Sequence, residues 1–297
     1  MKPLSIAVHL HVFYASLIPF IKAALDNIPD AFDLYVSIPD IVDCDELDIK
    51  NSLLEIKHVK TITIERVPNR GRDIAPMLCT FKDQLMQHDV LFHLHTKKSP
   101  HDSALAGWLP FICHHLLHEK NTSTILRLLS EDVGMVCSPD FTHDPELDGW
   151  GRGNIDIAQQ VIDRTTLKID LKKDYPFVDY PQGSIFWART DFLQPLFMIP
   201  FDYEDFPQEP IGVDGTLAHA LERLFFIWGA ESGKKIYKVY SSSDEYMLHQ
   251  QYEELSVMNI IEAKKKEKHL RVIRMLIYLS SFLLLIIIIL LVLHLFF

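Results

Sequence analysis

Between residues 4 and 138, short apolar runs of strand length alternate with stretches of helical spacing, and this alternation leaves few folds open. LSIAVHLHVFY (4–14), FDLYVSI (32–38), VKTITIERV (59–67), DVLFHLH (89–95) and VGMVCS (133–138) read as strands. Helical patterns fall at 16–28, 44–56, 74–88 and across 104–131. Strand–helix–strand alternation of this kind predicts an α/β fold, a mostly parallel sheet with helices on both faces. In such sheets ligands gather at the carboxyl ends of the strands, so the loops after the strands are where chemistry is expected.

Past residue 138 the pattern changes. PDFTHDPELDGWGRGN (139–154) is turn-rich and predicts a surface loop. GSIFWAR (183–189) reads as a compact buried strand, and the acidic, proline-broken PFDYEDFPQEPIGVDG (200–215) leads into the helical TLAHALERLFFIW. On that helix Leu217, Leu221, Leu224 and Trp228 make an apolar face, which predicts His219 and Arg223 on the other side. The last 23 residues, 275–297, carry no Asp, Glu, Lys or Arg. As a helix they would extend roughly 34 Å, enough for a bilayer core. Residues 264–274 hold six Lys or Arg against one Glu, and basic flanks stay cytoplasmic. The expected organisation is a domain at 1–240, a connector with a basic collar at 241–274 and a single-pass transmembrane anchor at 275–297. That anchor would sit in the inner membrane and hold the domain in the cytosol.

The formal charge of the 297-residue chain is -11, and without the basic collar the remainder is more acidic still. That excludes a general nucleic-acid binder, which needs a basic face for phosphate. The four cysteines, Cys44, Cys79, Cys113 and Cys137, have no paired spacing and read as reduced thiols. The N-terminal apolar stretch is broken by His9, His11 and Pro19 and does not read as a signal peptide.

Two loops after strands concentrate polar chemistry. In VPNRGRDIAP, Asp73 is placed to cap the next helix, and Arg70 and Arg72 beside a helix N-terminus suit an anion. In HLHTKKSPHD (93–102), His93 and His95 share one face of their strand, and His9 and His11 repeat the spacing on another. These residues leave three readings open: a phosphate site using Lys97 and Lys98, a structural polar loop, or a metal site with His101 or Asp102 as a third ligand. His114 and His118, one helical turn apart, read as solvated. Trp187 reads as core, whereas Trp150 in the turn-rich DGWGRGN reads as an exposed stacking platform.

NRGRDIAP, HLHTKKSPH, GSIFWAR and DGTLAHALER, in this order and at these spacings, resemble the rhamnan synthesis protein F family over about residues 5–240. The resemblance implies a GT-A-like (Rossmann-like) glycosyltransferase domain of bacterial surface-polysaccharide assembly. Such an enzyme moves rhamnose or another deoxyhexose from a nucleotide sugar to a lipid-linked glycan acceptor at the membrane. Where GT-A enzymes carry a metal-holding Asp-x-Asp, this chain reads His95-Thr96-Lys97. The change argues against a divalent metal cofactor and implies that Lys97 or Lys98, with Arg70 and Arg72, neutralises the leaving diphosphate. Arg70, Arg72, Asp73, His95, Lys97 and Lys98 are thus assigned to the donor diphosphate, and Trp150 and His219 to the acceptor. By resemblance Asp214 takes the place of the catalytic base; Asp205 and Glu209 are weaker candidates. Two other readings stand beside this one: a non-catalytic glycan or sugar-nucleotide binding module, and a hydrolase with a metal on His9, His11, His93 and His95.

Overall fold

The computed structural model describes residues 3–96, 107–141, 149–212, 214–241 and 250–255, with five positions between 273 and 280. Among these residues one eight-stranded sheet organises the chain. Its strands are β1 (Ile6–His11), β2 (Phe32–Pro39), β3 (Val59–Val67), β4 (Val90–His95), β5 (Val133–Cys137), β6 (Phe186–Arg189), β7 (Lys235–Ser241) and β8 (Gln250–Leu255). Their spatial order is β3-β2-β1-β4-β6-β5-β7-β8. The run from β3 to β4 is parallel, as the alternation predicts. β6 then runs antiparallel between β4 and β5, and β8 pairs antiparallel with β7. Sequence alone does not reveal this insertion, because GSIFWAR is apolar at every face-defining position and fits either direction. The sheet continues past residue 240 through β8.

The two faces of β1 differ in chemistry. Ile6, Val8, Leu10 and Val12 point into one aliphatic layer with Leu34, Val36, Phe92 and Leu94. Helices α1 (Ile18–Leu25), α2 (Glu46–Leu54), α4 (Trp108–Leu116) and α5 (Glu119–Leu129) cover that face. Ala7, His9 and His11 point the other way, as alternation along a strand requires. The second layer contains α6 (Asn154–Ile162), α7 (Leu171–Asp174), α8 (Thr190–Phe197) and α9 (Leu217–Ser232).

The helix expected at 74–88 is broken. Pro76–Thr80 forms a loose π-type turn, in which Phe81 N donates to Pro76 O at 3.1 Å, and only Lys82–Leu85, α3, is α-helical. Pro76 stands in the first turn, where its missing N–H is tolerated, and the irregularity is the wider spacing of the Phe81 N–Pro76 O bond. The exposed side expected of α9 is also absent: His219 and Arg223 are both 6% exposed, and the helix is buried nearly all round. Among the described residues no helix is long and apolar enough to cross a membrane. The stretch 275–297 lies outside them apart from Met275, Leu276, Tyr278 and Ser280, and so does the basic collar apart from Ile273.

Candidate functional site

Strand order reverses direction between β1 and β4, and this switch point is where a doubly flanked sheet opens a crevice at its carboxyl edge. The register there sets His9 beside His93 and His11 beside His95. The four imidazoles form a buried polar layer under the crevice. His9 and His93 stack at 5.0 Å, and His95 stacks on Trp108 at 5.7 Å. His9 Nε2 and His11 Nδ1 share the Ser37 hydroxyl at 3.0 and 2.9 Å. His93 Nδ1 donates to Ser184 O at 2.6 Å, and His95 Nε2 donates to Gly183 O at 2.7 Å. Each bond engages one nitrogen of its ring, and among the described residues no group of three or more His, Cys, Asp or Glu is placed to hold a metal ion. The histidine-metal hydrolase is therefore corrected: the layer is structural. His95 is 4% exposed and spends its Nε2 on Gly183 O, so it is a buried part of this layer and not an exposed diphosphate ligand.

Asp73 departs from its expected role as a cap. No side chain caps the turn at Pro76–Thr80, and the Asp73 carboxylate turns inward instead, 3.9 Å from His93 Nε2. Its Oδ2 is buried without a hydrogen-bond partner. Burial pushes the Asp73 carboxyl upward, but the imidazoles of His95, His93 and His11 outweigh it and hold the group below the ordinary carboxylate range. Burial drives His9 well below the ordinary imidazole range and His11 down to about 3, and it lowers His93 as well.

The arginine loop is folded tightly onto the second half of the chain. Gly71 has φ 65°, and a Cβ there would stand 2.5 Å from Ala75 Cβ and from the Phe206 ring. Arg72 itself adopts φ 55°, a left-handed conformation disfavoured for a side chain of its size. Its guanidinium bonds His219 Nε2 at 3.0 Å and Gly212 O at 3.4 Å, and its Nε lies 3.5 Å from Glu209. Arginine only donates, so His219 Nε2 accepts, and His219 Nδ1–H donates to Thr216 Oγ1 at 2.8 Å. Both ring nitrogens of His219 are spent within the protein, which removes it as an acceptor contact. Arg70 keeps more capacity: its Nε has no partner, and its ion pair with Glu204 is long at 3.9 Å.

Asp214 joins two loops. Its Oδ2 accepts from Arg152 N at 2.8 Å, and its Oδ1 accepts from the Asn154 amide and faces Arg223 Nη2 at 3.5 Å. Asn154 Oδ1 in turn accepts from Gly215 N at 3.0 Å. Burial raises the Asp214 carboxyl, but the Asn154 amide, the Arg152 N–H and the Arg223 charge together bring it below the usual range. Gly151, φ 66°, is needed here because a Cβ would sit 2.0 Å from Asp214 Oδ2. Trp150 is corrected from acceptor platform to core. It is 1% exposed, its indole donates to Tyr175 O at 2.8 Å, and the loop that was expected to display it turns it inward. Trp187 is core as expected, stacked on Phe92 at 4.5 Å.

The structure thus brings Arg72, His219, Gly212 and Asp214 together, and sets Asp73 with His95 beneath. Lys97, Lys98, His101 and Asp102 lie outside the described residues. Sequence reasoning missed Asn154 and Arg223. The asparagine heading a helix right after a glycine-rich turn was a usable signal, whereas Arg223 resembled any solvated helix arginine.

Residues 1–233 match the family described as Rhamnan synthesis protein F. The chain is 32% identical over 179 residues to the uncharacterized protein WxcX of Xanthomonas campestris pv. campestris strain B100. A second strain's WxcX is 32% identical over 178 residues. Each alignment covers 58% of this chain and 24% of the relative, so the match spans about a quarter of those proteins. With the match running across most of the chain, from the first strand to the end of α9, this chain belongs to the rhamnan synthesis protein F family.

Proposed function

We propose that the chain works in polysaccharide synthesis as a glycosyltransferase, moving rhamnose or another deoxyhexose from a nucleotide sugar to a lipid-linked glycan. One observation carries the reading beyond family membership. The loop that ends in Asp214 is bonded to the Arg70–Asp73 loop, through Arg72 to Gly212 O and His219, at the carboxyl edge of the sheet. A carboxylate and an arginine-bearing turn side by side suit displacement at an anomeric carbon. The acceptor hydroxyl loses its proton to the Asp214 carboxylate while its oxygen attacks, and the nucleoside diphosphate departs toward positive charge. Arg70, with Lys97 and Lys98, supplies that charge in this reading; Arg72 acts mainly by shaping the loop. In this reading the apolar segment 275–297 and its basic collar serve as an anchor that keeps the domain at the inner leaflet, beside a lipid-linked acceptor.

A second reading, a non-catalytic module that binds a glycan or sugar nucleotide, is favoured by a different observation. Both Asp214 oxygens accept from donors and the carboxyl is held low, which weakens it as a base. The two are separated by incubating the full chain in detergent with UDP- and dTDP-sugars, with and without extracted glycolipid, and measuring released nucleoside diphosphate. Transfer predicts acceptor-dependent release that persists in EDTA. No release from any donor, with donor binding retained, leaves the binding module; loss in EDTA restored by manganese contradicts the metal-free mechanism.

A further inference from the structure

We propose that Arg223 is the positioning residue for Asp214: a buried guanidinium, locked from every side, fixes the carboxylate against the glycine loop. The inference rests on the transferase reading for its consequence, but its geometry stands alone. Arg223 is 6% exposed, and burying a guanidinium is costly unless each donor is directed. Here each is. Nε donates to Gly149 O at 3.2 Å, and Nη1 donates to His219 O at 2.8 Å and to Glu222 at 2.9 Å. The Tyr180 ring lies under the guanidinium carbon at 4.6 Å. Only Nη2 is left, and it faces Asp214 Oδ1 at 3.5 Å.

Tyr180 is held in its turn. Its backbone N–H donates to Asp179 Oδ1 at 2.8 Å, and Asp179 Oδ2 accepts from Lys238 at 2.7 Å. Lys238, 5% exposed on β7, also bonds Asp140 at 3.0 Å. A line of alternating charge therefore runs from the sheet interior to Asp214, through Lys238, Asp179, the Tyr180 ring and Arg223. The groups facing Asp214 are Arg223 and His219 from α9, and Asn154 and the Arg152 N–H from the start of α6. Arg223 does not touch a reacting atom in this scheme; it sets the direction and the ionised state of the group that does.

The test compares wild type, Arg223→Lys and Arg223→Gln in the full chain. Selective 13C labelling of aspartate gives the Asp214 carboxyl titration by NMR, with Asp214→Asn identifying the signal. The Gln variant should move the midpoint upward, and the Lys variant, which keeps the charge but lacks the guanidinium fork, should move it upward by less. In the transfer assay, kcat should fall about a hundredfold in Arg223→Gln with donor KM little changed. The acidic limb of the rate profile should shift to higher pH, a shift that a merely destabilised fold would not give. An unmoved midpoint in a folded Gln or Lys variant overturns the proposal, as does an acidic limb that stays in place while turnover drops. If no nucleotide sugar is turned over by wild type, the transferase reading fails, and the titration alone still decides the link between Arg223 and Asp214. Should the Gln variant not fold, the Lys variant decides: a midpoint and a kcat both identical to those of Arg223 would show that the guanidinium fork is not what holds Asp214.

Discussion

At the level of single residues, the site is a contest between side chains spent inside the protein and those left for a ligand. Trp150 shows the first outcome: its ring is enclosed and its one donor is used on Tyr175. Trp150→Ala should therefore lower stability by about 3–5 kcal/mol in chemical denaturation, whatever the substrate. A variant that unfolds like wild type but loses acceptor affinity would return the tryptophan to the surface role read from the sequence. Gly71 is the complementary case. Gly71→Ala should cost about 1–3 kcal/mol, since its new methyl meets Phe206 and Ala75 at 2.5 Å in a backbone conformation alanine disfavours. The two arginines of that loop, read as a pair, separate in the structure. Arg72 is tied to His219, Gly212 and Glu209, and Arg70 retains an unpartnered Nε. Spacing could not distinguish them, because it says nothing about which partners fold back from residues 204–219.

At the level of elements, β1 and β4 carry a layer whose chemistry makes the fold acid-sensitive. The burial of His9, His11 and His93 holds their folded pKa values below 6.5, the ordinary imidazole value. The unfolded chain then binds more protons than the native one below that pH. The stability these groups contribute is present above about pH 6.5 and is lost as pH falls toward 3. For His11, held near 3, the loss between about pH 7 and about pH 5 should be on the order of 2 kcal/mol, and His9 and His93 act in the same direction. Asp73, also lowered, acts with the same sign at lower pH. Urea midpoints at the two pH values measure it, and equal midpoints would mean that the histidines take up protons without unfolding. The strands themselves were legible from residue order: alternation in IAVHLH put His9 and His11 on one face, and the structure keeps them there. The break in the helix at 74–88 was not, because the widened turn at Pro76–Thr80 leaves the apolar spacing of the sequence unchanged.

For the whole molecule, the parallel half of the sheet could be read directly, since each strand is followed by its own covering helix. The antiparallel β6, wedged between β4 and β5, could not: its place is decided by contacts such as Trp187 on Phe92, across residues far apart in sequence. The site shares this limit. Asp214 was found by motif, yet the groups that hold it, Asn154 and Arg223, come from an interlocking of loops that no local pattern announces. The proposed anchor makes a prediction at the same scale. Removing residues 275–297 should release the chain from the membrane fraction, and persistent sedimentation with salt-washed membranes would contradict it. The central claim is that the Asp214 carboxylate performs sugar transfer from a nucleotide donor. Its most direct test is turnover of a dTDP- or UDP-sugar by the full chain against Asp214→Asn, with donor affinity measured in parallel. The account predicts kcat lower by about 10²- to 10⁴-fold in the variant with donor affinity nearly unchanged; an Asn variant that turns over at the wild-type rate would contradict it.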